Sequence, residues 1–300
     1  MRIKKFTRWL SMGCLTCCLA CTQDSSWMDS TEQLQMSVSI SNEESTKGLV
    51  EMTQFNENDE IGLFLHGMET VAYEGRSFNN LRFTAVGTGE AQTWSGEAIM
   101  LSSKKAKAFG YWPYGSATAE NYTAYPISAA DQIDYLYSGW ITNVSNANPS
   151  MRLQMKHALT AIQFNLFRGS YTGVGTLTAI SISSDGLGAS GKLNLSDGSI
   201  SEVTVGEITL SGLGETLVTS PAYSAKILAV PNGAVGKPIT GLFTIDGKQY
   251  SVTLPFAEAY KAGTKYIFDI THNGVELTVQ QVRVTPWSDS GVDQEIAPQL

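Results

Sequence analysis

The 300-residue sequence predicts an all-β protein built of antiparallel β-sandwiches. Three observations carry this. Apolar and polar residues alternate with a period of two from residue 34 onward. Asp-Gly and Asn-Gly pairs stand between such runs. No helix-length stretch repeats with a period of 3.6, and the 28 glycines break the chain into short strands.

The elements follow in chain order. Residues 1–8 are basic, and residues 9–20 (WLSMGCLTCCLA) form a short apolar run. That run is too short to cross a hydrocarbon core of about 30 Å, so residues 1–20 read as a signal peptide. All four cysteines lie here, at Cys14, Cys17, Cys18 and Cys21. Leu19-Ala20-Cys21 followed by Thr22-Gln23-Asp24 resembles the lipobox of bacterial lipoproteins, in which the cysteine carries the lipid. Cys21 is therefore the expected acylation site, with Cys18 as rival acceptor. Residues 21–33 read as a polar tether.

Leu34-Gln-Met36-Ser-Val38-Ser-Ile40 is a strand with one apolar face, formed by Leu34, Met36, Val38 and Ile40. The polar segment 41–48 after it contains Lys47, the single Lys or Arg between Arg8 and Arg76. A trypsin-like protease would have one cut there, directly after the first strand. Ile61–Leu65 reads as a buried strand. Asp197-Gly198, Asp246-Gly247 and Asn273-Gly274 predict two-residue hairpin turns, because a type I′ turn needs positive φ at both central positions. The polar stretch Asn143–Ser150 marks the expected boundary between an N-terminal unit, 34–150, and a C-terminal unit, 151–300. Near the end, Val275, Leu277 and Val279 share a face. Val282 and Val284 continue it after a slip at Gln280-Gln281 that reads as a β-bulge.

Charge and composition exclude several functions. The chain has 20 basic and 28 acidic residues, and the part after residue 20 has 16 basic against 28 acidic, a net of −12. Such a body repels phosphate backbones, so nucleic acid is not an expected partner. A cysteine-free body excludes thiolate zinc sites and disulfides beyond residue 21. His66, His157 and His272 have no metal-box spacing and read as structural. Asp131, Asp134, Glu258 and Asp269 carry no pattern that marks an acid–base pair. No catalytic residue, metal or cofactor is expected, and the chain does not read as an enzyme. Tyr111-Trp112-Pro113-Tyr114, with Tyr122, Tyr125, Tyr135 and Tyr137 nearby, reads as core packing rather than a sugar platform.

Taken together, the residues resemble the fimbrillin family of Bacteroidales, the FimA/Mfa-like pilins of type V pili. Asn58–Phe64 (NDEIGLF), Tyr111–Tyr114 (YWPY), Asp134–Tyr137 (DYLY) and Met155–Ala158 (MKHA) look like its motifs. So do Asp246–Tyr250 (DGKQY), Lys261–Tyr266 (KAGTKY) and Pro286-Trp287. The resemblance implies two tandem transthyretin-like sandwiches and export as an outer-membrane lipoprotein. It also implies removal of the first strand by a trypsin-like surface protease, and polymerisation with other fimbrial subunits by strand exchange. The region with Val275, Leu277, Val279, Val282 and Val284 is then the candidate donor. The expected role is a fimbrial subunit supporting adhesion and biofilm. The alternative is a monomeric surface lipoprotein of the same fold that binds a glycan or host ligand.

Overall fold

The structure is a computed structural model that describes residues 30–40, 54–220, 223–233, 237–287 and 294–296. Cys21 and Lys47 lie outside the described residues. The N-terminal strands are β1 (Glu32–Gln33), β2 (Gln35–Ile40), β3 (Glu60–Gly67), β4 (Phe78–Val86), β5 (Thr93–Gly96), β6 (Met100–Leu101) and β7 (Ala106–Trp112). The chain continues through β8 (Tyr125–Ser128), β9 (Leu136–Tyr137), β10 (Ile141–Val144), β11 (Ser150–His157) and β12 (Thr160–Phe167). Next come β13 (Thr176–Ser183), β14 (Leu187–Leu193), β15 (Ile200–Val205), β16 (Ile208–Thr216) and β17 (Tyr223–Pro231). The last are β18 (Ile239–Ile245), β19 (Lys248–Leu254), β20 (Thr264–His272), β21 (Leu277–Pro286) and β22 (Gln294–Ile296). Helical structure among the described residues is limited to two short 3₁₀ turns, Gly89–Ala91 and Tyr122–Ala124.

The N-terminal sheet runs β2-β11-β9-β7-β3-β4-β5, with β10 beside β7, and a small β1–β6 pair accompanies it. The large C-terminal sheet runs β15-β14-β17-β12-β20-β21-β22, with β8 beside β14. A four-stranded sheet, β16-β13-β18-β19, closes the second sandwich. Pairing is antiparallel except at β2–β11 and β12–β20, which are parallel. Both exceptions join strands separated by a long stretch of chain, as parallel pairing requires.

Three apolar clusters explain the patterning. One side of β3 and β11 (Ile61, Leu63, Leu65, Met151, Leu153, Met155) fills the N-terminal core. Ile162, Phe164, Phe243 and Phe268 belong to the C-terminal core. The third cluster joins Phe64, Phe109 and Tyr111 of the first unit to Leu159, Leu228, Val230 and Trp287 of the second. β3 is thus covered on both faces, which is why it reads as a continuous apolar run instead of alternating.

The boundary falls later than the sequence suggests. Asn143–Ser150 is not a linker. Ser145 and Asn148 exchange backbone hydrogen bonds of 3.3 and 2.9 Å in a tight turn between β10 and β11. β11 therefore belongs to the first unit, and the chain crosses after His157. Asn, Ser and Pro suit a hairpin turn as well as a linker. In return, β8 pairs with β14 of the second unit through Tyr125–Ser128.

Of the three Gly turns, Asp246-Gly247 alone is the expected two-residue turn, with φ of 48° and 73°. The others are longer loops, because an Asx side chain captures the backbone first. Asp197 Oδ1 accepts the Ser199 N–H at 2.8 Å, and Asn273 Oδ1 accepts the N–H groups of Val275 and Glu276 at 3.1 and 3.0 Å. The expected bulge is present. Asp269 pairs with Gln281 and Ile270 with Val279, which leaves Gln280 as the extra residue.

Candidate interaction sites: an edge strand and an inter-unit junction

Among the described residues, β2 is an edge strand with one hydrogen-bonded neighbour, β11. The register places Met36 beside Met151, Val38 beside Leu153 and Ile40 beside Met155. Ile40 is buried, while Leu34, Met36 and Val38 pack half-buried against the same core. Burying an apolar side chain of this size contributes about 1.5–3 kcal/mol when complete, so the three half-buried ones give less each. Parallel pairing is slightly weaker per residue than antiparallel. Loss of the strand would uncover Met151, Leu153 and Met155 beside unpaired β11 backbone.

The candidate donor region is built differently. Val275 is 84% exposed in the loop before β21, whereas Leu277 and Val282 are buried and Val279 and Val284 pack against the C-terminal core. β21 is held by β20 on one side and by β22 on the other.

The junction is where distant motifs converge, which the sequence reading missed. His157 Nδ1 lies 2.7 Å from Asp134 Oδ2, both buried, and the His157 ring stacks on Trp287 at 4.1 Å and 11°. Trp287 also donates its backbone N–H to Gly263 O at 2.7 Å. Nearby, a Cβ on Gly62 would come within 2.0 Å of Tyr111 Cε1. The Tyr111 hydroxyl sits 2.8 Å from Asn80 Oδ1 and 3.0 Å from Gly115 O, and burial pushes its pKa up to about 12. Gly198 combines φ of 81° with a Tyr137 ring occupying the space a Cβ would need. Tyr122, Tyr125, Tyr135 and Tyr137 pack against this cluster as the core-packing reading expected, and Trp140 joins them. The signal available in sequence was indirect: each motif was visible, but nothing in the spacing put Asp134, His157 and Trp287 together.

The remaining histidines have neighbours of their own. His66 Nε2 is 3.2 Å from Asn79 Oδ1, and burial holds its pKa below the ordinary value. His272 stacks on Tyr171 at 4.1 Å and accepts the Gly274 N–H at 3.1 Å; burial lowers its pKa too. The four carboxylates weighed as an acid–base pair sit in separate settings. Asp269 contacts Arg283 at 2.9 Å and Asn165 at 2.7 Å, Asp134 contacts His157, and Asp131 and Glu258 are exposed.

Two β-sandwich units joined through an apolar junction define the class as an all-β sandwich protein. The fimbrillin-like family model matches residues 48–287, and the chain belongs to that family. Family membership makes it a fimbrial subunit with a cell-surface location. No curated protein matches the sequence. A candidate cell adhesion protein from Bacteroides uniformis has a similar structure, with 18% identity and a TM-score of 0.65 over 87% of this chain and 99% of that one. One from Bacteroides ovatus gives 14% and 0.61 over 86% and 98%. A fimbrial protein from Bacteroides vulgatus gives 13% and 0.52 over 85% and 99%. At such identities the likeness shows the fold.

Proposed function

We propose that this fimbrial subunit is exported as a lipoprotein anchored through Cys21 in the outer membrane. A trypsin-like surface protease then cuts it after Lys47, and it joins other fimbrial subunits by strand exchange, supporting adhesion and biofilm. The observation that carries this reading is the edge position of β2. The strand that a cut at Lys47 would release is held by one parallel neighbour over an apolar groove. A strand from the C-terminal region of a second subunit refills that groove by β-augmentation. Because β21 is embedded in its own sheet, donation by Val275–Val284 requires the whole strand to leave; otherwise the subunit ends the fibre.

Trypsin digestion of the folded chain tests the switch. A new N-terminus at Gly48 followed by polymers, both blocked by Lys47→Ala, is the expected result. Polymers from Lys47→Ala that retain residues 34–40 would refute it. Cys21→Ser should release the protein from the membrane fraction; labelled fatty acid on that variant would point to Cys18 or Cys17. Deleting residues 288–300 should leave polymerisation intact.

A further inference from the structure

The two edges of the N-terminal sheet face each other. β2 and β5 approach within 8 Å at Cα without pairing. What remains is a cleft of about 250 Å³ lined by Leu34, Met36, Phe83, Trp94 and Ile99, with Gln33, Ser95 and Glu97 also in its lining. Three features shape it. The Trp94 indole is braced edge-on by Phe55 at 5.2 Å and 87°. Gly96 lets the Phe83 ring lie directly on the β5 backbone, since a Cβ there would lie 2.5 Å from Phe83 Cδ1. Glu97 is 3.4 Å from Arg76, which also lies over the Phe78 ring at 4.8 Å.

We propose that this cleft binds a single hexopyranose, the terminal residue of a glycan. The volume is below the about 300–1,000 Å³ of drug-sized sites and suits one ring. A pyranose has an apolar C–H face and a polar rim. Trp94, Met36 and Leu34 offer the matching apolar wall. Gln33 and Glu97, together with the unpaired backbone groups of β5, offer donors and acceptors for hydroxyls. The combination of an aromatic wall and a few polar groups is that of a sugar site. One consequence is built in: Gln33, Leu34 and Met36 belong to the β1–β2 segment, so the site exists only while that segment is in place. The proposal does not depend on strand exchange.

The test uses the full chain and the α- and β-methyl glycosides of glucose, galactose, mannose and N-acetylglucosamine. Binding is followed by ligand-observed NMR and calorimetry. At least one glycoside should bind with a Kd of about 1 mM. Glu97→Gln, at an exposed position, and Trp94→Phe, which keeps the Phe55 contact, should each weaken it about tenfold or more. Absence of binding by all eight glycosides would overturn the proposal. So would retention of full affinity in either variant, with folding verified by thermal melt.

Discussion

At the scale of single residues, the Asp134–His157–Trp287 cluster joins the end of the first unit to the residue that follows β21. Asp134→Ala removes the acceptor beside a buried imidazole nitrogen, which costs about 1–3 kcal/mol. Trp287→Ala removes the stacking partner and leaves a cavity, at about 3–5 kcal/mol. Urea melts of both variants check these values. A Trp287→Ala loss below about 1 kcal/mol would mean that the junction tolerates the hole. His66 and His272 set a pH dependence. Burial holds both below 6.5, so the unfolded chain binds more protons under that pH, and stability falls as pH drops beneath about 6.5. Asp246 acts in a lower window. Its carboxylate accepts the N–H groups of Gly175 and Thr176 and is held below the ordinary range, so its stabilisation is present above about pH 4 and lost as pH falls through the lowered value. Melting temperatures from pH 8 to 3 should show two separate declines, and His66→Gln should shrink the first.

At the scale of elements, β2 and the Asp246-Gly247 hairpin differ in what holds them. The hairpin is fixed by backbone geometry. Gly247→Ala places a Cβ at φ of 73° and should cost about 1–2 kcal/mol, while leaving the β18–β19 register unchanged. β2 is fixed by side chains over a core and by one neighbour. Its amides should exchange with solvent through a local opening, well before those of β3, which is paired on both sides. Native-state hydrogen exchange reads this directly. Exchange of Val38 and Ile40 only at the rate of β3 would show that β2 cannot leave without global unfolding. The β-bulge at Gln280 restores the inward face of β21, bringing Val282 and Val284 back onto the core after Leu277 and Val279.

At the scale of the molecule, the junction makes one body of two sandwiches. Phe64 and Phe109 stack at 4.8 Å and 8° against side chains contributed by β12, β17 and Trp287. β8 and β11 cross the halves in opposite directions, each giving a strand to the sheet that its sequence position would not suggest. The two units should therefore melt in a single calorimetric transition. Phe109→Ala, which empties the middle of the junction, should split that transition or lower it by an amount matching about 3–5 kcal/mol. Two well-separated transitions in the unmutated chain would show that the interface contributes little.

The sequence by itself determined the fold class, the strands at 34–40 and 61–65, the bulge and the one true Asp-Gly hairpin. These depend on side-chain alternation and local backbone preference, which act over a few residues. The first strand was legible for the same reason: four apolar side chains at every second position must face a core. Only the tertiary structure decided where the units divide, because a turn rich in Asn, Ser and Pro and a linker have the same composition. It also decided that β2 lies parallel to β11 at a sheet edge, and that Asp134, His157 and Trp287 share one buried site. Those are pairings between residues 23 to more than 100 positions apart. They are fixed by how sheets twist and stack on each other, and local spacing carries no trace of that.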